Sequence, residues 1–200
     1  MDISSVTFRG PPIDDEPLLA RLPTNLQALL QSMNGFIQYH GGLHVRGASR
    51  GPEWHSLRVV LEGESALHAL YEEVRAEDIP FGQDCVGDQF LLRDGKVHRL
   101  LAETGEVEFA AAGLRSFFEA VQAEPVEFLK LHPLLKLQSE GAVLQPGELI
   151  HAYPPFCTKE AAQGASLRAV PAQQVISFHA AMAAQLPPDG RQFKVEWVDG

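Results

Sequence analysis

The segment Arg93-Asp94-Gly95-Lys96 constrains the fold most, because it joins two short apolar runs rich in strand-forming residues. Asp-Gly between such runs predicts a type I′ hairpin, since both central residues of that turn need positive φ. Upstream, an apolar Ile-Pro-Phe at 79–81 and a turn at Gly87-Asp88 add a further strand. We therefore predict an antiparallel meander over about residues 79–110.

Helical periodicity surrounds this meander on both sides. Apolar residues recur at three- and four-residue spacing through 17–33, with a break at Pro23-Thr24 and a left-handed stop at Asn34-Gly35. Further helices are predicted at 52–61, 64–74, 113–121, 126–137 and 171–186. Strands are predicted within 37–46, at 149–153 and at 193–198.

This order of elements favours the α+β class over alternating α/β. We expect a central antiparallel β-meander packed against N-terminal and C-terminal helices, with a C-terminal α/β extension. Residues 1–17 contain Gly10-Pro11-Pro12 and several acidic residues, and they are interpreted as an extended or loosely attached arm. Residues 18–124 form the expected core, and residues 125–200 form the extension packed on it as part of one compact unit.

Charge and cysteine content limit the possible partners. The chain has 200 residues and a formal net charge of −10, with only 16 Lys and Arg spread thinly along it. Nucleic-acid binding needs a basic surface, so it is disfavoured, whereas a basic protein partner is compatible with the acidity. The chain has no apolar run of membrane-spanning length, no signal-peptide pattern and no CxxC around Cys85 or Cys157. We expect a cytoplasmic protein with two reduced cysteines.

Catalytic and metal motifs are weak. Gly47-Ala48-Ser49-Arg50-Gly51 matches G-x-S-x-G, but no apolar central strand precedes Ser49 and no βαβ pattern surrounds it. Nothing selects a base among His98, His132, His151 and His179, or an acid between Asp88 and Asp94. His40 and His44 are separated by two glycines, and no HExxH or phosphate-binding glycine loop is present. No metal or cofactor is predicted, and a serine hydrolase using Ser49 remains a distant alternative.

Acidic residues cluster around the predicted meander and are the candidate partner-binding set. Two explanations compete for them. Asp beside Gly commonly makes an Asx-type turn, and charged residues on an edge strand protect it from aggregation. Alternatively, they form one acidic surface for a cationic partner. The candidate residues are Asp84, Asp88, Glu103, Glu106 and Glu108.

Residues 22–122 resemble the SUKH superfamily, which includes the fungal cell-wall-synthesis regulator and many bacterial toxin-immunity proteins. Four segments account for the resemblance: Leu22-Pro23 with the helix ending at Asn34-Gly35-Phe36; Ile79–Gly82 before Gly87–Leu92; Gly95–Val97 before the turn at Glu103–Gly105; and the helix Leu114–Val121. The pattern departs from the family at Arg99-Leu100-Leu101, where a more aromatic strand is common. Residues 125–200 have no counterpart in the minimal domain.

This resemblance implies a compact α+β domain that works by binding and has no catalytic residues. We therefore expect a bacterial immunity protein that binds and blocks a toxin domain, such as a nuclease. The alternative is a regulatory or scaffold protein of the same fold without a toxin partner. Neither the partner, the interface nor the oligomeric state follows from the sequence.

Overall fold

The computed structural model describes residues 4–186, and its central feature is a seven-stranded antiparallel sheet. Each strand pairs with the next one along the chain, so β1 and β7 form the two edges. The strands are β1 (Val6–Arg9), β2 (Phe36–Gln38), β3 (Leu43–Val45), β4 (Ile79–Asp84), β5 (Gln89–Arg93), β6 (Lys96–Leu100) and β7 (Val107–Ala111). A separate two-stranded antiparallel sheet contains β8 (Glu148–Tyr153) and β9 (Ser166–Pro171).

Within residues 4–186, eight short α-helices connect and cover these strands. They are α1 (Glu16–Leu19), α2 (Thr24–Ser32), α3 (Leu57–Leu61), α4 (Leu67–Leu70), α5 (Leu114–Ala123), α6 (Pro125–Phe128), α7 (His132–Ser139) and α8 (Ala172–Ala183). Runs of 3-10 helix lie at Tyr39–Gly41 and Glu160–Gln163. The α+β class predicted from the sequence is confirmed.

The Asp-Gly hairpin forms as predicted. Asp94 and Gly95 have φ of 50° and 78°, and the flanking Arg93 and Lys96 pair across β5 and β6. The pairing continues from Leu92 opposite Val97 to Gln89 opposite Leu100. Side chains on each strand therefore alternate between two faces of the sheet.

One face of the sheet is covered by aromatic packing. Phe90 points towards α5, where its ring centroid lies 4.8 Å from that of Phe117. Edge-to-face and tilted contacts join six phenylalanines from strands and helices, which fixes α5 and α6 against this face. The six are Phe36, Phe81, Phe90, Phe117, Phe118 and Phe128.

The C-terminal extension joins the same hydrophobic core. The backbone N–H of Ile150 in β8 donates to the Cys85 carbonyl at 2.8 Å, just after β4. Leu149 and Val175 lie against the backbone at Gly87. Burial of these side chains means that residues after 125 cover apolar surface that residues 18–124 would otherwise expose.

Several boundaries differ from the sequence predictions. The predicted arm contains β1, which is an edge strand paired to β2, and β9 was not predicted. The predicted helices at 52–61 and 64–74 shrink to α3 and α4, because residues before Leu57 and Leu67 form turns. The break at Pro23-Thr24 is present, and the predicted helix at 126–137 is divided into α6 and α7. The predicted strand at 193–198 lies outside the described residues.

Candidate functional site

The β4–β5 turn buries two of the five predicted acidic residues. Oδ1 of Asp84 accepts hydrogen bonds from the backbone N–H groups of Val86, Gly87 and Asp88 at 3.0–3.1 Å. Asp88 in turn accepts from the N–H of Ala102 at 2.9 Å. Asp84 is fully buried and Asp88 nearly so. These residues make the Asx-type turn, so the predicted acidic surface does not include them.

Burial also decides the charge of this turn. Desolvation, followed by the nearby charge of Asp88, raises the pKa of Asp84 to about 8, against the opposing effect of Arg99. Burial likewise raises the pKa of Asp88. The second oxygen of Asp84 is buried without a hydrogen-bond partner. A protonated Asp84 therefore fits this site better than a carboxylate does.

Glu103 connects the core to the extension. Its carboxylate accepts hydrogen bonds from the backbone N–H groups of Phe156 and Cys157 at 3.0 and 2.7 Å. The imidazole Nε2 of buried His179 lies 3.9 Å from the same carboxylate. Glu103 is only 13 % exposed, and its hydrogen-bonding capacity is largely used inside the molecule.

The other two predicted residues, Glu106 just before edge strand β7 and Glu108 within it, lie on the surface. Glu106 and Glu108 are exposed, and Glu108 makes a loose contact of 3.6 Å with Lys130. Phe109 is 62 % exposed. Among the aromatic pairs within residues 4–186, it forms one, an edge-to-face contact with His98 at 5.9 Å between ring centroids. Along the sequence, Val107 and Phe109 alternate with Glu106 and Glu108, and this alternation alone did not predict that the Phe109 ring is exposed.

A buried polar chain on the sheet face opposite the phenylalanines was not predicted. The backbone carbonyl of Asn34 can only accept, so the neutral His55 ring donates to it from Nε2 at 3.0 Å. Nδ1 of His55 then accepts from Nε2 of His44 at 2.9 Å. Nδ1 of His44 faces the Gln83 amide nitrogen at 3.5 Å. Because the Asn34 carbonyl can only accept, it fixes the proton of His55 on Nε2, and this in turn fixes the proton of His44 on Nε2.

Arg46 fixes the opposite end of this chain. Its guanidinium, which can only donate, gives hydrogen bonds to the side-chain oxygens of Gln83 and Gln89 and to the Pro80 carbonyl. Arg46 is 1 % exposed, and burial lowers its pKa to about 9. Ion pairs within residues 4–186 do not include Arg46. The side chain is therefore a buried cation held by neutral acceptors.

His55 fills a space left by three glycines. A Cβ atom on Gly10, Gly35 or Gly47 would lie 2.3, 2.5 or 2.7 Å from a ring atom of His55. Burial lowers the pKa of His55, and it lowers that of His44 more strongly, with the charge of Arg46 contributing to both. Neutral rings are required here, because a proton on either would set two N–H donors against each other.

A cavity of about 160 Å³ lies beside this chain. His44 and Gln83 form its polar floor, and Phe8 and Ile37 form an apolar side. The opposite wall is the segment 143–149 that precedes and begins β8. Val143 in this wall is 55 % exposed, so the cavity opens to solvent there.

The structure does not assemble a hydrolase around Ser49. The residue is fully buried, and its hydroxyl has no hydrogen-bond partner. A nucleophilic serine needs an exposed oxygen and a base within hydrogen-bond distance, so this arrangement lacks both. In the described part of the chain, His, Cys, Asp and Glu side chains do not form a group of three suited to a metal ion. Cys85 and Cys157 are both free, as predicted.

Comparisons with known proteins identify no relative. No family model matches the chain, and neither the curated proteins nor the solved structures contain a match. Between residues 4 and 186, none of the helices is long and apolar enough to cross a membrane.

Proposed function

We propose that the protein is a non-catalytic binding module, and that it acts as an immunity protein that blocks a basic toxin domain. The observation that supports this function is the surface of β7. An exposed phenylalanine, Phe109, directly follows the exposed Glu108, on a strand with a single neighbour among the described strands. Exposed edges of this kind can take up a strand from another protein.

The side chains on the two faces of β7 indicate which residue types a pairing strand of the partner would carry. Glu106 and Glu108 point to one face, while Phe109 points to the other, because successive side chains alternate. A partner strand beside β7 would place basic residues opposite the glutamates and an apolar residue near Phe109. The net charge of −10 would also accelerate encounter with a basic surface.

The resemblance to the SUKH superfamily supports the toxin as the class of partner. Fold resemblance leaves the partner itself undefined, so the proposal depends on direct binding. The candidate partner is the product of the adjacent gene where that gene encodes a toxin-like protein. Capture of a housekeeping enzyme, with no toxin-like neighbour, would instead support a regulatory or scaffold role.

The test is the association rate with the adjacent gene's product at low and high salt. We expect the double variant Glu106→Lys/Glu108→Lys to associate at least ten times more slowly at low salt. The matched control is Glu64→Lys/Glu160→Lys, which changes the net charge equally at exposed sites away from β7. Equal slowing in both variants would show that overall charge, and not β7, steers binding.

A second comparison tests the apolar contact. Phe109→Ala should increase the dissociation rate about tenfold or more, because exposed aromatic anchors dominate many interfaces. Phe156→Ala removes another exposed aromatic side chain and should leave the rate unchanged. Absence of any complex with a toxin-like neighbour would remove the immunity function.

A further inference from the structure

One buried cation and one carboxylate lie next to the cavity, and neither has an ionic partner among residues 4–186. Arg46 lies directly behind the floor, where it donates to the side chain of Gln83. Glu148 belongs to the wall, where one of its oxygens accepts the N–H of Gln145 at 2.8 Å. Within residues 4–186, ion pairs include neither group.

The charge of Arg46 acts on the cavity floor. It lowers the pKa of His44, which is itself a floor residue. The amide nitrogen of Gln83 also carries two N–H bonds. One of them faces Nδ1 of His44, at 3.5 Å between the two nitrogens. Gln83 lines the cavity with the Arg46 cation behind it, and its second N–H can donate to a ligand, a combination that suits a carboxylate.

The wall has the complementary chemistry. Glu148 contributes a carboxylate to the cavity lining, which also includes His40. The remaining sides are apolar, formed by Phe8, Ile37 and Leu149 among others. The cavity volume of about 160 Å³ is larger than that of a few water molecules, each of which takes up roughly 30 Å³ in the liquid. A compact organic molecule therefore fits this space.

From these features we infer that the cavity binds a small α-amino acid in its zwitterionic form. The carboxylate of the ligand lies against the Gln83 amide, in the field of Arg46. Its ammonium group faces Glu148, and a short side chain contacts Phe8 and Ile37. This site is separate from β7 and does not depend on the proposed protein partner.

The test uses alanine and its two monofunctional analogues. Trp54 reports on the site, because its ring lies 5.2 Å from that of His44 and packs against Gly147 in the cavity wall. In a Trp197→Phe background, alanine should change Trp54 fluorescence with saturation in the millimolar range. Propionate lacks the ammonium group and ethylamine lacks the carboxylate, so each should bind at least tenfold more weakly.

Two variants separate the contributions of the floor and the wall. Glu148→Gln should weaken alanine binding about tenfold and leave propionate binding unchanged, whereas Glu160→Gln, outside the cavity, should alter neither. Gln83→Glu keeps the acceptor for Arg46 but places a negative charge on the floor, so it should abolish binding of alanine and propionate. The inference is wrong if alanine produces no saturable signal, if propionate matches alanine, or if Glu148→Gln binds alanine like the parent protein.

Discussion

At the scale of single residues, His55 is the side chain on which most local contacts depend. It joins the carbonyl of Asn34 to the ring of His44, and it fills the space bounded by Gly10, Gly35 and Gly47. These contacts bring together three chain segments that are far apart in sequence. A substitution here removes both a hydrogen-bonded pair and a packed ring.

We therefore expect His55→Ala to lower the free energy of unfolding by about 3 kcal/mol, from the lost hydrogen bonds and the new cavity. His68→Ala is the control, since His68 is exposed on α4, and it should cost less than about 0.5 kcal/mol. Urea unfolding at pH 7.5 measures both values. Similar stabilities for the two variants would contradict the role assigned to His55.

The buried histidines also predict how stability changes with pH. Burial holds the pKa of His44 and His55 below the ordinary value and lowers that of His179 to about 4. The unfolded chain takes up these protons below about pH 6.5 while the folded chain does not, so stability falls as the pH drops from 6.5 towards 4. Asp84 and Asp88 act in the opposite direction, because their raised pKa values keep protons on the folded protein.

The pKa values of His98 and His151 are lowered as well. Because the histidines with lowered pKa values outnumber the two aspartates, we expect stability to decrease on acidification, by roughly 1.4 kcal/mol per pH unit for each net proton. Urea midpoints between pH 7 and pH 4 measure this slope. His179→Gln removes one of these protons and should flatten the slope. A parent protein whose stability is constant or rises on acidification would contradict the neutral state assigned to the histidine chain.

At the scale of elements, the extension is attached to the core through few polar contacts. Glu103 accepts two consecutive backbone N–H groups from the loop that follows β8. Hydrogen bonds to a charged acceptor each contribute roughly 1.5–3 kcal/mol, so loss of both should free this loop.

Limited proteolysis tests that attachment. Trypsin can cleave after Lys159, which is exposed in the same loop. We expect Glu103→Ala to increase the rate of that cleavage at least tenfold, while Glu106→Ala, on the exposed edge, leaves it unchanged. Equal cleavage rates would show that apolar packing holds the loop without Glu103.

The sequence predicted the elements whose signals are local. Asp94-Gly95 required a particular turn, and a helix was predicted at 113–121, so β4–β7 and α5 were predicted close to their observed positions. β1 and β9 were missed because each is defined by its pairing partner and has no strong pattern of its own. Turns before α3 and α4 shortened the predicted helices without changing their order.

At the scale of the whole molecule, the sequence predicted the acidic residues but not their distribution between interior and surface. Asp84, Asp88 and Glu103 lie near one another in sequence with Glu106 and Glu108, yet the first three are enclosed by β8, α8 and the loop after β8. Burial by a distant segment is a tertiary effect that no local pattern reports. The histidine chain was missed for the same reason, since Asn34, His44, His55 and Gln83 meet only in the folded sheet.

The proposed function makes one claim about the whole molecule, that a basic partner adds a strand to β7. Amide hydrogen exchange of Val107–Ala111, measured free and in complex with the adjacent toxin-like protein, tests this claim most directly. We predict that exchange of the edge amides slows at least tenfold in the complex, while exchange in β1 at the opposite edge is unchanged. A stable complex in which the β7 amides exchange at the same rate as in the free protein would contradict the claim.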